Sequence, residues 1–161
     1  MKHTISVQLR NKPGVLSRVT GLFSGRGFNI ESLCVAETMD RELSVLTIVS
    51  RGDAAIIEQI TKQLHKLIDV IKVTDMAELP YVEREMVLLR MKAVETTRAE
   101  VLRITDIFRA KVIDVSAKTF TIEVTGSGSK VDACIELLRP LGIKEIVRTG
   151  TVAMARAPKS K

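Results

Sequence analysis

The sequence predicts an α+β protein made of two consecutive βαββαβ units, each with an antiparallel four-stranded sheet and two helices on one face. Short apolar segments at strand spacing alternate with segments of helical periodicity. The same order of elements occurs twice, before and after Leu79-Pro80-Tyr81. The chain has 161 residues, 45% of them hydrophobic, which is enough to form two small cores of about 80 residues each.

The first unit is predicted within residues 1–79. In its first strand, Ile5, Val7 and Leu9 alternate with polar residues and define the buried face. Asp53 is the predicted N-cap of the second helix. In order, the predicted elements are strand 3–9, helix 15–24, strand 29–37, strand 43–50, a helix from Asp53 to about Leu67, and strand 70–74.

The second unit is predicted within residues 80–161, with a loose basic tail from about residue 157. Capping boxes are predicted to open both of its helices, at Thr97-Arg98-Ala99-Glu100 and at Ser129-Lys130-Val131-Asp132. Gly142 is predicted to end the second helix. The predicted strands are 86–94, 111–116, 119–125 and 143–148.

The segment Asn11–Leu33 holds the candidate binding residues. Asn11-Lys12-Pro13-Gly14 leads into a helix, and a helix N-terminus offers free backbone N–H groups and a partial positive charge to a carboxylate. Gly14 lets a ligand approach the backbone closely, and the amides of Asn11 and Asn29 can donate and accept hydrogen bonds. On spacing alone, a plain turn with Asn11 as helix cap is favoured over a ligand loop.

The string NKPGVLSRVTGLFSGRGFNIESL, in its strand-loop-helix-strand setting, resembles an ACT domain, a small module that binds amino acids and regulates metabolic enzymes. With Glu83-Arg84-Glu85 opening the second unit, the chain resembles the small regulatory subunit of acetohydroxyacid synthase, also called acetolactate synthase. The resemblance covers residues 2–155 and implies a ferredoxin-like fold for both units.

The resemblance implies a non-catalytic subunit that activates a thiamine-diphosphate-dependent catalytic subunit and confers feedback inhibition by valine. That catalytic partner is expected to carry thiamine diphosphate, Mg²⁺ and FAD, whereas no cofactor is expected in this chain. A homodimer through residues 1–79 is also implied. The implied valine-binding positions are Asn11, Gly14, Val15, Leu16, Asn29 and Ile30. The first four would hold the carboxylate; the last two, from the partner subunit, would receive the ammonium and line the side-chain pocket.

The charge distribution does not indicate a nucleic-acid partner. The formal net charge of +6 divides into +1 up to Leu79 and +5 from Pro80 onward, and the basic residues are scattered singly. An RNA-recognition domain needs stacking aromatics on its central strands; segments 43–50 and 111–116 have none, and Phe120 alone is insufficient. An ACT-type amino-acid sensor that regulates a different metabolic enzyme remains the alternative.

Other functional sites are not predicted. His3 and His65 stand apart from other metal-binding residues, and Cys34 and Cys134 are isolated thiols. Gly126-Ser127-Gly128-Ser129-Lys130 lacks the spacing of a phosphate-binding loop. No apolar run approaches the roughly 20 residues that a membrane span needs, and no signal-peptide pattern is present. We therefore expect a cytoplasmic chain without a metal site, a catalytic site or a membrane partner.

Overall fold

The structure is a computed structural model in which residues 2–158 are described. It divides into two compact units, Met1–Val82 with Thr151–Lys161, and Glu83–Gly150. Each unit contains the predicted βαββαβ order, so the predicted fold class is confirmed. The predicted division placed everything from Pro80 onward in the second domain, whereas the segment after Gly150 returns to the first unit.

The first unit has a four-stranded antiparallel sheet in the order β2-β3-β1-β4. Helices α1 and α2 cover one face of this sheet, and a 3₁₀ turn at Met76–Glu78 follows β4. The elements are β1 (Lys2–Arg10), α1 (Val15–Gly25), β2 (Ile30–Glu37), β3 (Leu43–Arg51), α2 (Ala54–Leu64) and β4 (Val70–Asp75).

The core of the first unit forms where the predicted alternation placed it. Ile5, Val7 and Leu9 of β1 are buried against the two helices. Asp53 caps α2 as predicted, since its Oδ1 accepts a hydrogen bond from the Ile56 N–H at 2.9 Å. Helix α2 ends at Leu64 rather than near Leu67, because the following residues form turns.

The second unit repeats the arrangement with strands in the order β6-β7-β5-β8. Its core is mainly aliphatic, and Phe120, Ile122 and Val124 alternate into it as predicted. The elements are β5 (Tyr81–Lys92), α3 (Glu95–Ile107), β6 (Lys111–Val115), β7 (Thr119–Gly126), α4 (Gly128–Leu138), a 3₁₀ turn at Arg139–Leu141, and β8 (Ile143–Arg148). Gly142 stops the helical segment with φ at 98°, a left-handed conformation that suits glycine.

Both predicted capping boxes of the second unit are wrong by two or three residues. Helix α3 begins at Glu95 after Val94, which has no capping side chain; Thr97 lies within the first turn, and its N–H donates to the Val94 carbonyl at 3.1 Å. An acidic residue at the start suits the positive end of the helix. Helix α4 is capped by Ser127, whose Oγ accepts from the Lys130 N–H at 3.4 Å.

A ninth strand, β9 (Val152–Ala155), was not predicted. It pairs with β5, and beyond it the Arg156 N–H donates to the Pro80 carbonyl at 2.8 Å. The Thr151 N–H donates to Ser32 Oγ of β2 at 3.0 Å. These bonds explain why this segment groups with the first unit. Of the predicted tail, residues 159–161 lie outside the described part of the chain.

One ion-pair network connects three elements of the second unit. Arg148 of β8 forms a bidentate pair with Glu85 of β5, with Nε–Oε1 at 2.6 Å and Nη2–Oε2 at 2.9 Å. Its Nη2 also donates to Asp132 Oδ1 of α4 at 3.0 Å. The Glu85 hydrogen bonds raise the pKa of the Arg148 guanidinium. Glu85 is 5% exposed, so this carboxylate depends on Arg148 for its charge partner.

Replacing Arg148 by Met should therefore destabilise the chain by about 2 kcal/mol, since it leaves a buried carboxylate without a partner. Urea unfolding followed by circular dichroism measures the loss. Arg139→Met is the matched control, because Arg139 pairs with Glu136 on an exposed helix surface and should cost less than about 0.5 kcal/mol. Equal losses in both variants would show that the network contributes no more than a surface pair.

Candidate functional site

The loop between β1 and α1 holds the first group of predicted effector-binding residues. Gly14 is the N-cap of α1, with φ at 83° and ψ at −11°, a left-handed conformation that disfavours residues with a Cβ. A Cβ there would have open space, since the nearest atom is Arg18 Nη2 at 3.8 Å. The constraint on Gly14 is therefore the backbone conformation and not steric crowding.

The first turn of α1 presents the free donors on which the prediction depends. The Val15 N–H donates to the Lys12 carbonyl at 3.3 Å and is only weakly engaged. The N–H groups of Leu16 and Ser17 have no acceptor among the described residues, as expected at a helix start. Leu16 is 39% exposed, whereas Val15 is 3% exposed and packs in the core. The Val15 N–H can thus donate to a ligand, but the Val15 side chain is buried in the core.

Asn11 joins this loop to the hairpin between β2 and β3. Its N–H donates to the Glu42 carbonyl at 2.7 Å, and its Nδ2 donates to the Arg41 carbonyl at 2.9 Å. The Asn11 Oδ1 has no donor among the described residues. The Asn11 amide nitrogen is therefore engaged within the fold, and the amide oxygen is available to a ligand. The prediction identified Asn11 but missed this link to the hairpin.

A second link fastens the loop to the connection between α2 and β4. The Arg10 N–H donates to the Asp69 carbonyl at 2.9 Å, and Arg18 Nη2 lies 3.4 Å from Asp69 Oδ2. These bonds join residues far apart in the chain and have no local sequence pattern that would predict them. Three connections of the first unit are thus held together at one end of the sheet, which we call the loop end.

Asn29 and Ile30 lie at the opposite end of the same sheet. Arg10 is paired with Leu43 at the start of β3, whereas Ile30 is paired with Ser50 near its end. Ser50 lies seven positions along β3 from Leu43, a distance of about 23 Å at the usual strand rise. A single copy of the chain therefore does not bring the two groups of predicted residues together.

Asn29 is nevertheless free to bind. Its carbonyl accepts from Ser50 Oγ at 2.7 Å, and this bond fixes the backbone where β2 begins. Its side chain is exposed and has no hydrogen-bond partner in the described part of the chain. Strand β2 itself is an edge strand whose one strand partner, among the described residues, is β3.

Two cavities of the first unit lie away from these residues. One, of about 750 Å³, lies between α2 and β4 and is bordered by His3 and Asp75. The other, of about 330 Å³, lies between the uncovered face of the sheet and β9. Neither of these two cavities is lined by the six predicted positions.

No group of three or more His, Cys, Asp or Glu side chains within residues 2–158 could hold a metal ion. No helix in the same range is long and apolar enough to cross a membrane. Cys34 and Cys134 are free thiols, and burial raises the pKa of the Cys134 thiol.

Comparison with known proteins assigns both units. Residues 5–72 match the family described as the AHAS small subunit-like ACT domain, and residues 84–157 match the small subunit of acetolactate synthase. The chain is 55% identical to the probable acetolactate synthase small subunit of Archaeoglobus fulgidus over 159 residues, covering 99% of each chain. The chain belongs to the acetolactate synthase small-subunit family. The resemblance inferred from the Asn11–Leu33 segment is thereby confirmed.

Two further relatives support the same family assignment. The acetolactate synthase small subunit of Haemophilus influenzae is 49% identical, again covering 99% of each chain. The crystal structure of the acetolactate synthase small subunit from Thermotoga maritima has a TM-score of 0.89 and 45% identity, covering 98% of this chain and 99% of that one. The family likeness therefore extends over both units and the returning β9 segment.

The left-handed conformation at Gly14 can be tested with a pair of glycine variants. Gly14→Ala should destabilise the chain by about 1 kcal/mol, because the new Cβ is strained at positive φ. Gly21→Ala is the control: Gly21 lies inside α1 with open space around it and should stabilise by about 0.5 kcal/mol. Urea midpoints measure both. A stabilising Gly14→Ala would contradict the left-handed cap.

Proposed function

We propose that this chain activates the catalytic subunit of acetolactate synthase and makes it sensitive to valine. Valine binds between two copies of the first unit, which acts as an ACT domain. One observation carries the proposal: the two groups of predicted binding residues lie at opposite ends of a sheet whose edge strand β2 has no strand partner on its outer side among the described residues. A second copy placed against that edge brings the two groups together.

Antiparallel pairing of two β2 strands about a two-fold axis supplies this geometry. In one copy, Glu37 at the end of β2 is paired with Ser44, and Leu9 is paired with the same Ser44 from the other side. The end of β2 therefore adjoins the loop end. Because the pairing is antiparallel, Ile30 of the partner subunit lies beside Glu37. Asn29 and Ile30 of one copy thus approach the Asn11–Gly14 loop of the other.

The groups gathered by this pairing match the chemistry of valine. Its carboxylate accepts from the free N–H groups at the start of α1, where the helix dipole favours negative charge. Gly14 has no side chain to obstruct that approach. The amide oxygens of Asn11 and Asn29 accept from the ammonium. The exposed side chain of Leu16 and the half-buried side chain of Ile30 line the place of the isopropyl group.

Linkage between this site and the partner enzyme accounts for feedback inhibition. Valine binds the paired arrangement in preference to the open one, because the complete site exists only across the pair. Asn11 bonds to the β2–β3 hairpin, and its neighbour Arg10 bonds to the α2–β4 connection. A ligand that immobilises Asn11 therefore restrains all three connections at the loop end, and this changes the surface that the catalytic subunit meets.

The site assignment predicts that Asn29→His abolishes valine inhibition and retains activation. The imidazole is larger than the amide and replaces the carbonyl oxygen that accepts from the ammonium. Activity of the reconstituted holoenzyme, assayed with and without valine, measures both effects. Gln59→His is the matched control, because it places the same change on the exposed surface of α2 and should leave inhibition intact. Full valine sensitivity of Asn29→His would refute the assignment.

The dimer arrangement predicts that Val35→Glu separates the copies and weakens valine binding more than tenfold. Val35 is exposed on β2, and a carboxylate introduced there would lose its water between the two paired strands. Light scattering measures the mass, and calorimetry measures valine affinity. Ile71→Glu makes the same change on β4, the opposite edge of the sheet, and should do neither. If Ile71→Glu alone produced monomers, the wrong edge would have been assigned.

A further inference from the structure

In the second unit, backbone hydrogen bonds hold the loop between β5 and α3 in the same way as they hold the loop between β1 and α1 in the first unit. The Lys92 N–H donates to the Gly142 carbonyl at 2.9 Å, which ties the end of β5 to the start of β8. The next residue, Ala93, donates its N–H to the Lys118 carbonyl at 2.9 Å, which ties it to the β6–β7 hairpin. Three connections of the second unit are thus held together at one end of its sheet.

These bonds correspond one for one to those of the first unit. Lys92 takes the place of Arg10, whose N–H bonds to the connection before the last strand of the repeat. Ala93 takes the place of Asn11, whose N–H bonds to the central hairpin. The second unit therefore has a loop end at the position of the proposed effector loop, and its side chains are of a different chemical kind.

A cavity of about 420 Å³ lies at this second loop end, and three lysines line it: Lys92, Lys118 and Lys144. This volume is in the range of small-molecule sites. Glu95 lines the cavity as well, so the formal charge of its lining, three ammoniums and one carboxylate, is +2. No ion pair involves any of the three lysines within residues 2–158.

The arginines of the second unit differ in the partners that they have. Its arginines Arg90, Arg103, Arg139 and Arg148 each pair with a carboxylate. Arg98 lies over the Phe120 ring, with its guanidinium carbon 5.0 Å from the centroid. Among residues 2–158, Arg84 and Arg109 have no carboxylate partner either, so the three lysines are distinguished by their place around one cavity and not by the lack of an ion pair. A lining of three ammonium groups and one carboxylate favours an anionic occupant over a cationic one.

We propose that this cavity binds a compact anion of two or three negative charges, a diphosphate or a tricarboxylate. The lysines that line it belong to three elements, β5, the β6–β7 hairpin and β8, so an anion in the cavity can accept hydrogen bonds from the ammonium groups of all three. Helix α3, of 13 residues, starts at the same cavity without a capping side chain, and the N–H groups of Glu95 and Thr96 have no acceptor among the described residues. They add donors to the site that the lysines define.

Calorimetry on the full chain at fixed ionic strength tests this proposal, with inorganic pyrophosphate and citrate as the probes. We expect saturable binding, weakened more than tenfold in the double variant Lys118→Gln/Lys144→Gln. The matched control is Lys111→Gln, which removes an exposed lysine of the same unit that does not line the cavity. It should change the affinity less than twofold. A preference for one probe identifies phosphate or carboxylate as the recognised group.

Two results would overturn the proposal. One is the absence of saturable binding of either probe to the unaltered chain. The other is equal weakening in the control and the double variant, which would show nonspecific attraction to a basic surface. The proposal does not depend on valine, and the Asn29→His variant should bind the anion with unchanged affinity. Loss of valine binding and loss of anion binding can therefore be distinguished in the same variant.

Discussion

The length of strand β3 is the constraint on which the proposed mechanism depends. It holds the Asn11–Gly14 loop at one end of the sheet and Asn29 at the other. Hydrogen bonding across four strands makes this separation rigid. A ligand that requires both ends therefore requires two chains, and ligand binding is linked to association. Regulation then follows from the rigidity of the sheet, without any large rearrangement within it.

The fold could be predicted because its signals are local and repeated. Alternation in β1 and β7 and the Asp53 cap depend on neighbouring residues, and the strand order follows from a small set of allowed connections. The helix starts of the second unit were mistaken because Thr97 and Ser129 have capping chemistry in the right spacing, whereas α3 begins at Glu95 after Val94, without a capping side chain, and α4 is capped by Ser127.

The candidate residues of the site could be named from the sequence, but their arrangement in space could not. Gly14 and Asn29 carry recognisable chemistry in the sequence, whereas the distance between them is a property of sheet register. Strand β9 was missed for a related reason: four residues are too few to show alternation, and their place is set by bonds to Pro80 and, through Thr151, to Ser32. Contacts between residues distant in the chain leave no local pattern to find.

The repeat explains how one chain can carry two different loop-end chemistries. Both loops are fastened by backbone hydrogen bonds, from Arg10 and Asn11 in one unit and from Lys92 and Ala93 in the other. Backbone hydrogen bonds do not depend on side-chain identity, so both loops can keep these bonds although their side chains differ. One loop end presents amides and a glycine, suited to a zwitterion, and the other presents lysines, suited to a multivalent anion. The scaffold therefore fixes where a ligand binds, and the side chains decide which ligand it is.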